Sequence, residues 1–170
     1  AVTGLLKGSA ILPVVATGIS ELAGGDERLD SRPDIVDCSV FAPPAATAGR
    51  RLRVQVFLHL EEQLPQVAER AMRSDLRAVE LGTQTLKCPI RRGAEVDLEL
   101  EGDGLLVEDP LQSIVWRGRP DCCSFVVRMP AQSDEGHEFL PRIIVYLDGK
   151  PVGRMTFSIV STSSVKTEKI

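Results

Sequence analysis

The sequence predicts a mainly β fold: an antiparallel β-sandwich, Ig-like or C2-like, with one inserted amphipathic helix. Apolar and β-branched residues cluster in about eight short runs bounded by Gly, Pro and Asp, a pattern typical of strands joined by turns. These runs do not alternate regularly with helical segments, so a doubly wound parallel sheet is not expected. Only 4% of the residues are aromatic, and the core is therefore expected to consist mainly of Val, Leu and Ile.

The length of 170 residues suits one domain with short flanking segments. Residues 1–33 form a lead-in to which the sequence assigns no element, and Gly24-Gly25-Asp26 within it resembles a linker. Residues 34–160 are the predicted sandwich, and residues 161–170 are a polar tail or linker.

Strict alternation of apolar and polar residues makes 51–60 and 95–101 the clearest strands. Residues 143–147 and 152–160 flank Asp148-Gly149, a strong signal for a β-hairpin. The other predicted strands are 34–41, 83–90, 105–108, 112–117 and 122–129.

One segment has helical rather than strand periodicity. Its apolar residues recur three and four positions apart: Leu64, Val67, Ala68, Ala71 and Met72. Pro65 suits the first turn of a helix, so the pattern predicts one helix over 65–75, lying across the sheet or over one end of it.

The net charge of −4 argues against general nucleic-acid binding, which needs a basic field. The basic pairs Arg50–Arg51 and Arg91–Arg92 have no exposed aromatics beside them, and we interpret them as solvated strand ends and turns. The most apolar stretch, residues 10–19, is interrupted by Pro13 and Gly18 and is too short to span a membrane.

The four cysteines lack the dense spacing of a disulfide framework. They are Cys38, Cys88, Cys122 and Cys123. Reduced thiols are therefore expected, which favours a cytoplasmic protein.

Neither histidine belongs to a zinc-binding pattern, because His59 and His137 have no closely spaced second ligand. We predict no metal site. The acidic loop residues Asp103, Glu108 and Asp109 keep one alternative open, a calcium- or lipid-binding sandwich of the C2 type.

A second, less favoured alternative is a thiol hydrolase that uses Cys122 or Cys123 with His137. No sequence context of a thiol-hydrolase family surrounds these cysteines, and a cysteine in a strand is more often a small core residue. We therefore predict no catalytic residue and no cofactor, and we expect the chain to act by binding.

The segment Trp116-Arg117-Gly118-Arg119-Pro120 places the only tryptophan and two guanidinium groups at a turn between strands. Trp and Arg are enriched at binding hot spots, so Trp116, Arg117 and Arg119 are the predicted partner-binding residues. The competing and favoured interpretation is structural: Trp116 fills the sandwich, and Arg117 lies along a neighbouring strand by its aliphatic stem.

Three runs of the sequence, VDCSVFAP at 36–43, VQVFLHL at 54–60 and VWRGRP at 115–120, carry a resemblance to a known group. Together with the hairpin at 143–160, they resemble a β-rich accessory domain of bacterial proteins that also carry a TIR domain. The resemblance covers residues 33–160. It implies a role in sensing, oligomerisation or regulation of a signalling or defence effector.

The same resemblance implies a protein partner, either a TIR-containing effector or a second copy of the chain. The 170 residues contain no TIR sequence, so NAD cleavage is not predicted for this chain.

Overall fold

The structure, a computed structural model of the chain, describes residues 32–163. The chain divides into two units, Ala1–Pro33 and Asp34–Ile170. The predicted lead-in lies outside the described residues except for Arg32 and Pro33, and so does most of the predicted tail. The elements below all belong to the second unit.

Residues 32–163 form twelve strands, a short 3-10 turn and one α-helix. The strands are β1 (Asp37–Ala42), β2 (Ala45–Thr47), β3 (Arg51–His59), β4 (Val79–Thr85), β5 (Glu95–Glu101), β6 (Leu106–Glu108), β7 (Leu111–Val115), β8 (Asp121–Arg128), β9 (Glu138–Phe139), β10 (Arg142–Leu147), β11 (Lys150–Thr156) and β12 (Ile159–Thr162). The 3-10 turn (Glu61–Gln63) leads directly into helix α1 (Leu64–Ser74).

The strands form two large sheets and one small sheet. The first has the order β4-β1-β3-β8-β6, the second β11-β10-β5-β7, and the small one β2-β12-β9. Every pair within the two large sheets is antiparallel, which confirms the predicted fold class. The pairing of β12 with β2 is parallel, a long-range arrangement that local alternation cannot reveal.

The main core consists of apolar side chains contributed by both large sheets. On β5, Val96, Leu98 and Leu100 are buried and alternate with partly exposed acidic residues, as the sequence predicts. On the other sheet, Val54 and Val56 of β3 are fully buried in the same cluster. The bounds of β3, β5, β6, β8 and β10 lie within one residue of the predicted ones.

The hairpin of β10 and β11 is present as predicted. Leu147 pairs with Lys150, and the two residues between them, Asp148 and Gly149, have φ values of 53° and 77°. Two consecutive positive φ angles define the type I′ turn that Asp-Gly favours.

Helix α1 lies within one residue of its predicted bounds and covers the outer face of the five-stranded sheet. Its Val67 and Ala71 are fully buried against Phe41 and Phe57, whose rings meet edge to face with centroids 5.8 Å apart. The described part of the second unit therefore has three layers, with the five-stranded sheet in the middle.

This third layer corrects one expectation for β3. The sequence predicts one buried and one polar face, but every residue of the strand from Val54 onward is buried on both sides. Gln55, Phe57 and His59 lie on the face that was expected to be polar. Only Arg51 and Arg53, at the start of the strand, remain exposed there.

Four other strand predictions are wrong in their bounds. β1 begins at Asp37 instead of residue 34, and β7 ends at Val115 instead of residue 117. The strand predicted at 83–90 is β4, Val79–Thr85; beyond it Leu86 N donates to Val36 O and Lys87 N to Val152 O, so the chain crosses to the other sheet. Gly82 interrupts the apolar pattern and hides the start of β4. The strand predicted at 152–160 is divided into β11 and β12, because Phe157 N donates to Pro141 O between them.

No helix among the described residues is both long enough and apolar enough to cross a membrane.

Candidate functional site

The strongest candidate site is a basic cleft on the outer face of the five-stranded sheet, beside the C-terminal end of α1. Its cavity volume is about 610 Å³, within the range of ligand sites. Four arginines line it: Arg50, Arg51, Arg53 and Arg77. The other lining residues are Pro43, Ala45, Ala46, Thr47, Leu52, Ser74, Asp75, Val126 and Thr162. We call this set the arginine cleft.

Strand alternation and one turn place the arginines. Arg51 and Arg53 are two residues apart on β3, so both side chains lie on the outer face just beyond the area that α1 covers. Arg77 follows the helix in a turn that Asp75 stabilises. The Arg77 N–H donates to Asp75 Oδ1 at 3.0 Å, and the Ala78 N–H donates to Asp75 O at 3.0 Å.

Two of these arginines have partners among the described residues, and the other two have none there. Arg51 forms an ion pair with Glu108 at 2.9 Å, and Arg53 Nη1 donates to Ser74 Oγ at 3.2 Å. Within residues 32–163, the exposed side chains of Arg50 and Arg77 make no hydrogen bond or ion pair with another residue. Asp75 and the partial negative charge of the helix end oppose an anion here. With Arg51 paired to Glu108, the other three guanidinium groups still outnumber these negative charges.

The chemistry of this set suits anions. A guanidinium group presents several N–H donors in one plane and binds carboxylate or phosphate with two parallel hydrogen bonds. Because Arg50 and Arg77 come from different segments, an anion between them would be held from two sides.

The structure places the residues predicted for partner binding elsewhere. Trp116 is fully buried, and its Nε1 donates to Asp34 Oδ2 at 2.9 Å, so its ring packs in the main core. Arg117 and Arg119 are exposed, and their role in binding stays a prediction. They lie near Leu58, which pairs with Asp121, roughly 17 Å along β3 from Arg53.

Asp34 links Trp116 to two neighbouring residues, Arg92 and Ile90. Arg92 Nε donates to Asp34 Oδ2 at 2.9 Å, and Asp34 exchanges two backbone hydrogen bonds with Ile90. Burial raises the pKa of Asp34, but hydrogen bonds from Arg92 and Trp116 and the charge of Arg92 outweigh it. The net effect is a pKa below the usual 3.8.

We expect this carboxylate to make stability depend on acid. Because the pKa is lower in the folded state, the stabilisation is fully present above pH 3.8 and is lost as the pH falls through the folded-state value. Urea unfolding between about pH 2 and pH 6 measures it. The Asp34→Asn variant should be less stable near neutral pH and should lose less on acidification. Parallel pH curves for the two proteins would contradict this role.

The residues of the thiol-hydrolase alternative are not brought together. Cys122 packs under α1 and Cys123 lies between the large sheets. The two thiols therefore lie on opposite faces of β8, as expected for consecutive residues of a strand. His137 packs its ring against Phe139, with centroids 4.5 Å apart. Among the described residues it makes no hydrogen bond to either thiol. Burial raises the pKa of Cys122 to about 11 and raises that of Cys123 further.

These environments predict the order of thiol labelling in the native protein. All four cysteines are free; Cys88, on a loop, and Cys122, on β8, are partly exposed, and Cys38 and Cys123 are buried. At pH about 7.5, a thiol of pKa 11 has on the order of 100-fold less thiolate than an ordinary one. Alkylation followed by peptide mass spectrometry should therefore modify Cys88 first and Cys38 and Cys123 last. Rapid, selective labelling of Cys122 or Cys123 would instead revive the hydrolase interpretation.

Two of the three acidic residues of the calcium alternative have structural partners, and the third is a turn residue. Asp103 and Asp109 have φ values of 53° and 50°, as turn residues, and Asp103 Oδ2 accepts the Leu140 N–H at 2.8 Å. Glu108 pairs with Arg51. Among residues 32–163, no group of three or more His, Cys, Asp or Glu side chains is placed to hold a metal ion.

A chain of polar groups surrounds the other histidine. His59 and Ser39 are both fully buried, and His59 Nε2 lies 2.7 Å from Ser39 Oγ. His59 Nδ1 donates to Leu60 O at 2.7 Å. Ser39 Oγ lies 2.7 Å from Thr83 Oγ1, which in turn contacts the carboxylate of Glu80 at the surface. This polar chain is buried at Ser39 and His59 and exposed at Thr83 and Glu80.

A search of protein-family models finds no match to this sequence, and a search of curated proteins finds no similar one. The functional argument therefore depends on the site itself.

The sequence does not predict the arginine cleft. It indicates a solvated strand end or turn at Arg50–Arg51, although Arg53 lies on the same face of the strand as Arg51 and extends the basic pattern. Arg77 lies on the far side of a helix in the sequence, and nothing local indicates that it returns to the same surface.

Proposed function

We propose that this chain is a non-catalytic protein-interaction module that binds an acidic segment of a partner protein in the arginine cleft. The observation that carries the proposal is the convergence of Arg50, Arg51, Arg53 and Arg77 on one concave surface of an otherwise acidic chain. A basic cleft steers an acidic partner toward one orientation and suppresses binding elsewhere on the negative surface.

The separate placement of the cysteines and His137 supports binding rather than hydrolysis. The resemblance to domains found beside TIR domains supplies a candidate class of partner, a bacterial signalling or defence effector. A cytoplasmic location belongs to the same proposal and is supported by four free thiols.

Fluorescence anisotropy with two labelled peptides tests the proposal. The first, the Glu-Ser peptide, has about 12 residues with Ser at every third position and Glu elsewhere; the second replaces each Glu by Gln. We expect the Glu-Ser peptide alone to bind, and more weakly at about 300 mM than at about 50 mM salt, because screening weakens exposed charge pairs.

The decisive variant is Arg50→Ser with Arg77→Ser, which removes the two arginines without a described partner. It should weaken binding of the Glu-Ser peptide by about tenfold, which corresponds to about 1.4 kcal/mol. The matched control is Arg117→Ser with Arg119→Ser, which makes the same change of charge at two exposed arginines outside the cleft. Equal losses in both variants would show binding to net charge rather than to a site. A loss in the control variant alone would place the site at the turn predicted from the sequence.

A further inference from the structure

An exposed apolar strip borders the arginine cleft. Met72 is 51% exposed, Leu76 88% and Val79 45%. They occupy one short stretch that runs from the last turn of α1 through a loop to the first residue of β4. Leu76 stands between Asp75 and Arg77, both of which line the cleft, so the strip is continuous with its wall.

Folding does not account for the exposure of these side chains. The neighbouring residues Ala71 and Ala78 are buried in the second core, so this stretch already has its anchors to the sheet. Exposed apolar residues are ordinary when they are scattered singly, but a group beside a polar site indicates an interaction surface. Burying such a group against a partner is the favourable step that surface charges alone do not supply.

We propose that the cleft and the strip form one docking surface, and that its occupant is an acidic segment of a partner protein with apolar side chains between the carboxylates. This inference rests on the proposed function and specifies the chemistry of the partner. Carboxylates would pair with Arg50 and Arg77, while an adjacent aliphatic or aromatic side chain would cover Leu76. The charge of the cleft favours carboxylates in the bound segment, and the strip beside it favours apolar side chains in the same segment.

A third peptide tests the inference. The Glu-Leu peptide has the charge and length of the Glu-Ser peptide, with Leu in place of each Ser. We expect it to bind about tenfold more tightly than the Glu-Ser peptide, because burial of one or two leucine side chains is sufficient for a factor of that size. Equal affinities for the two peptides would overturn the inference.

The variant Leu76→Ser should remove this advantage, lowering affinity for the Glu-Leu peptide by about tenfold and leaving the Glu-Ser peptide within about twofold. Leu111→Ser is the matched control, since Leu111 is 62% exposed on β7, an edge strand of the other large sheet, and does not line the cleft. Both substitutions are at exposed positions, and thermal melts verify that the fold is retained. A loss of similar size in the control would also overturn the inference.

The results separate this inference from the proposed function. If Arg50→Ser with Arg77→Ser weakens both peptides and Leu76→Ser weakens neither, the cleft binds acidic segments but the strip takes no part. If none of these variants affects binding, both proposals are wrong. Sedimentation of the protein without peptide tests whether the surface instead binds a second copy of the chain. Self-association at micromolar concentration that Leu76→Ser abolishes would identify that second copy and overturn the inference.

Discussion

Replacing Trp116 with alanine is expected to lower the free energy of unfolding by about 3–5 kcal/mol. Trp116 is fully buried and has the largest side chain in the main core, so its removal loses both the burial of the ring and the packing around it. The substitution also removes the donor to Asp34 Oδ2. Urea unfolding followed by circular dichroism measures the change, because the tryptophan signal is absent from the variant.

Trp116→Phe divides this loss into its parts. Phenylalanine retains most of the apolar volume but cannot donate to Asp34, so the expected loss is about 1–2 kcal/mol. Trp116→Ala should also bind the Glu-Ser peptide with unchanged affinity under conditions where it is folded, because the ring lies outside the arginine cleft. A stable Trp116→Ala protein with impaired binding would instead support the partner-binding role that the sequence suggested for this residue.

The local sequence pattern is sufficient to predict secondary structure where one face of an element packs on the core and the other faces solvent, because apolar and polar residues then alternate with the period of that element. Residues 95–101 alternate strictly because one face of β5 lies on the core and the other is largely polar. Helical periodicity predicts α1, and the Asp148-Gly149 pair predicts the hairpin of β10 and β11. In each case the signal is contained within a few neighbouring residues.

Prediction failed where a distant element changes the surroundings of a strand. Nothing in residues 55–59 indicates that α1 will cover the outer face of β3, so His59 was expected at a polar surface and is instead fully buried. The parallel pairing of Ser161 with Ala46 likewise depends on the path of the whole chain. Both errors are tertiary, and no periodicity within the strand could correct them.

The candidate site was harder to predict than the fold for the same reason. Its residues come from the start of β3 and from the loop after α1, which meet only after the helix folds back on the sheet. By contrast, the segment around Trp116 has the most distinctive composition in the sequence. It is distinctive partly because the Trp116 side chain packs in the main core. Residues that are conspicuous in one sequence can thus be structural, while a binding surface can be made from ordinary ones.

The buried histidine supports the second large prediction. His59→Ala is expected to cost about 2–4 kcal/mol, because it opens a cavity and removes the imidazole partner of two groups. The Ser39 hydroxyl then keeps only its contact with Thr83, and the Leu60 carbonyl keeps only the Gln63 N–H. Thr83→Val, at the exposed end of the same polar chain, should cost less than about 1 kcal/mol, since water can replace the lost contact there. Urea unfolding measures both, and equal losses would contradict the importance of burial.

A double-mutant cycle between Ser39 and His59 tests whether the hydrogen bond itself matters. Ser39→Ala should cost about 1–3 kcal/mol, since it leaves the buried Nε2 of His59 unsatisfied. Once His59 is already alanine, the same change removes a hydroxyl that has lost this partner, so its cost should fall. The losses should therefore be less than additive by about 1 kcal/mol. Additive losses would mean that the two side chains stabilise the sheet independently, and that their contact reflects packing alone.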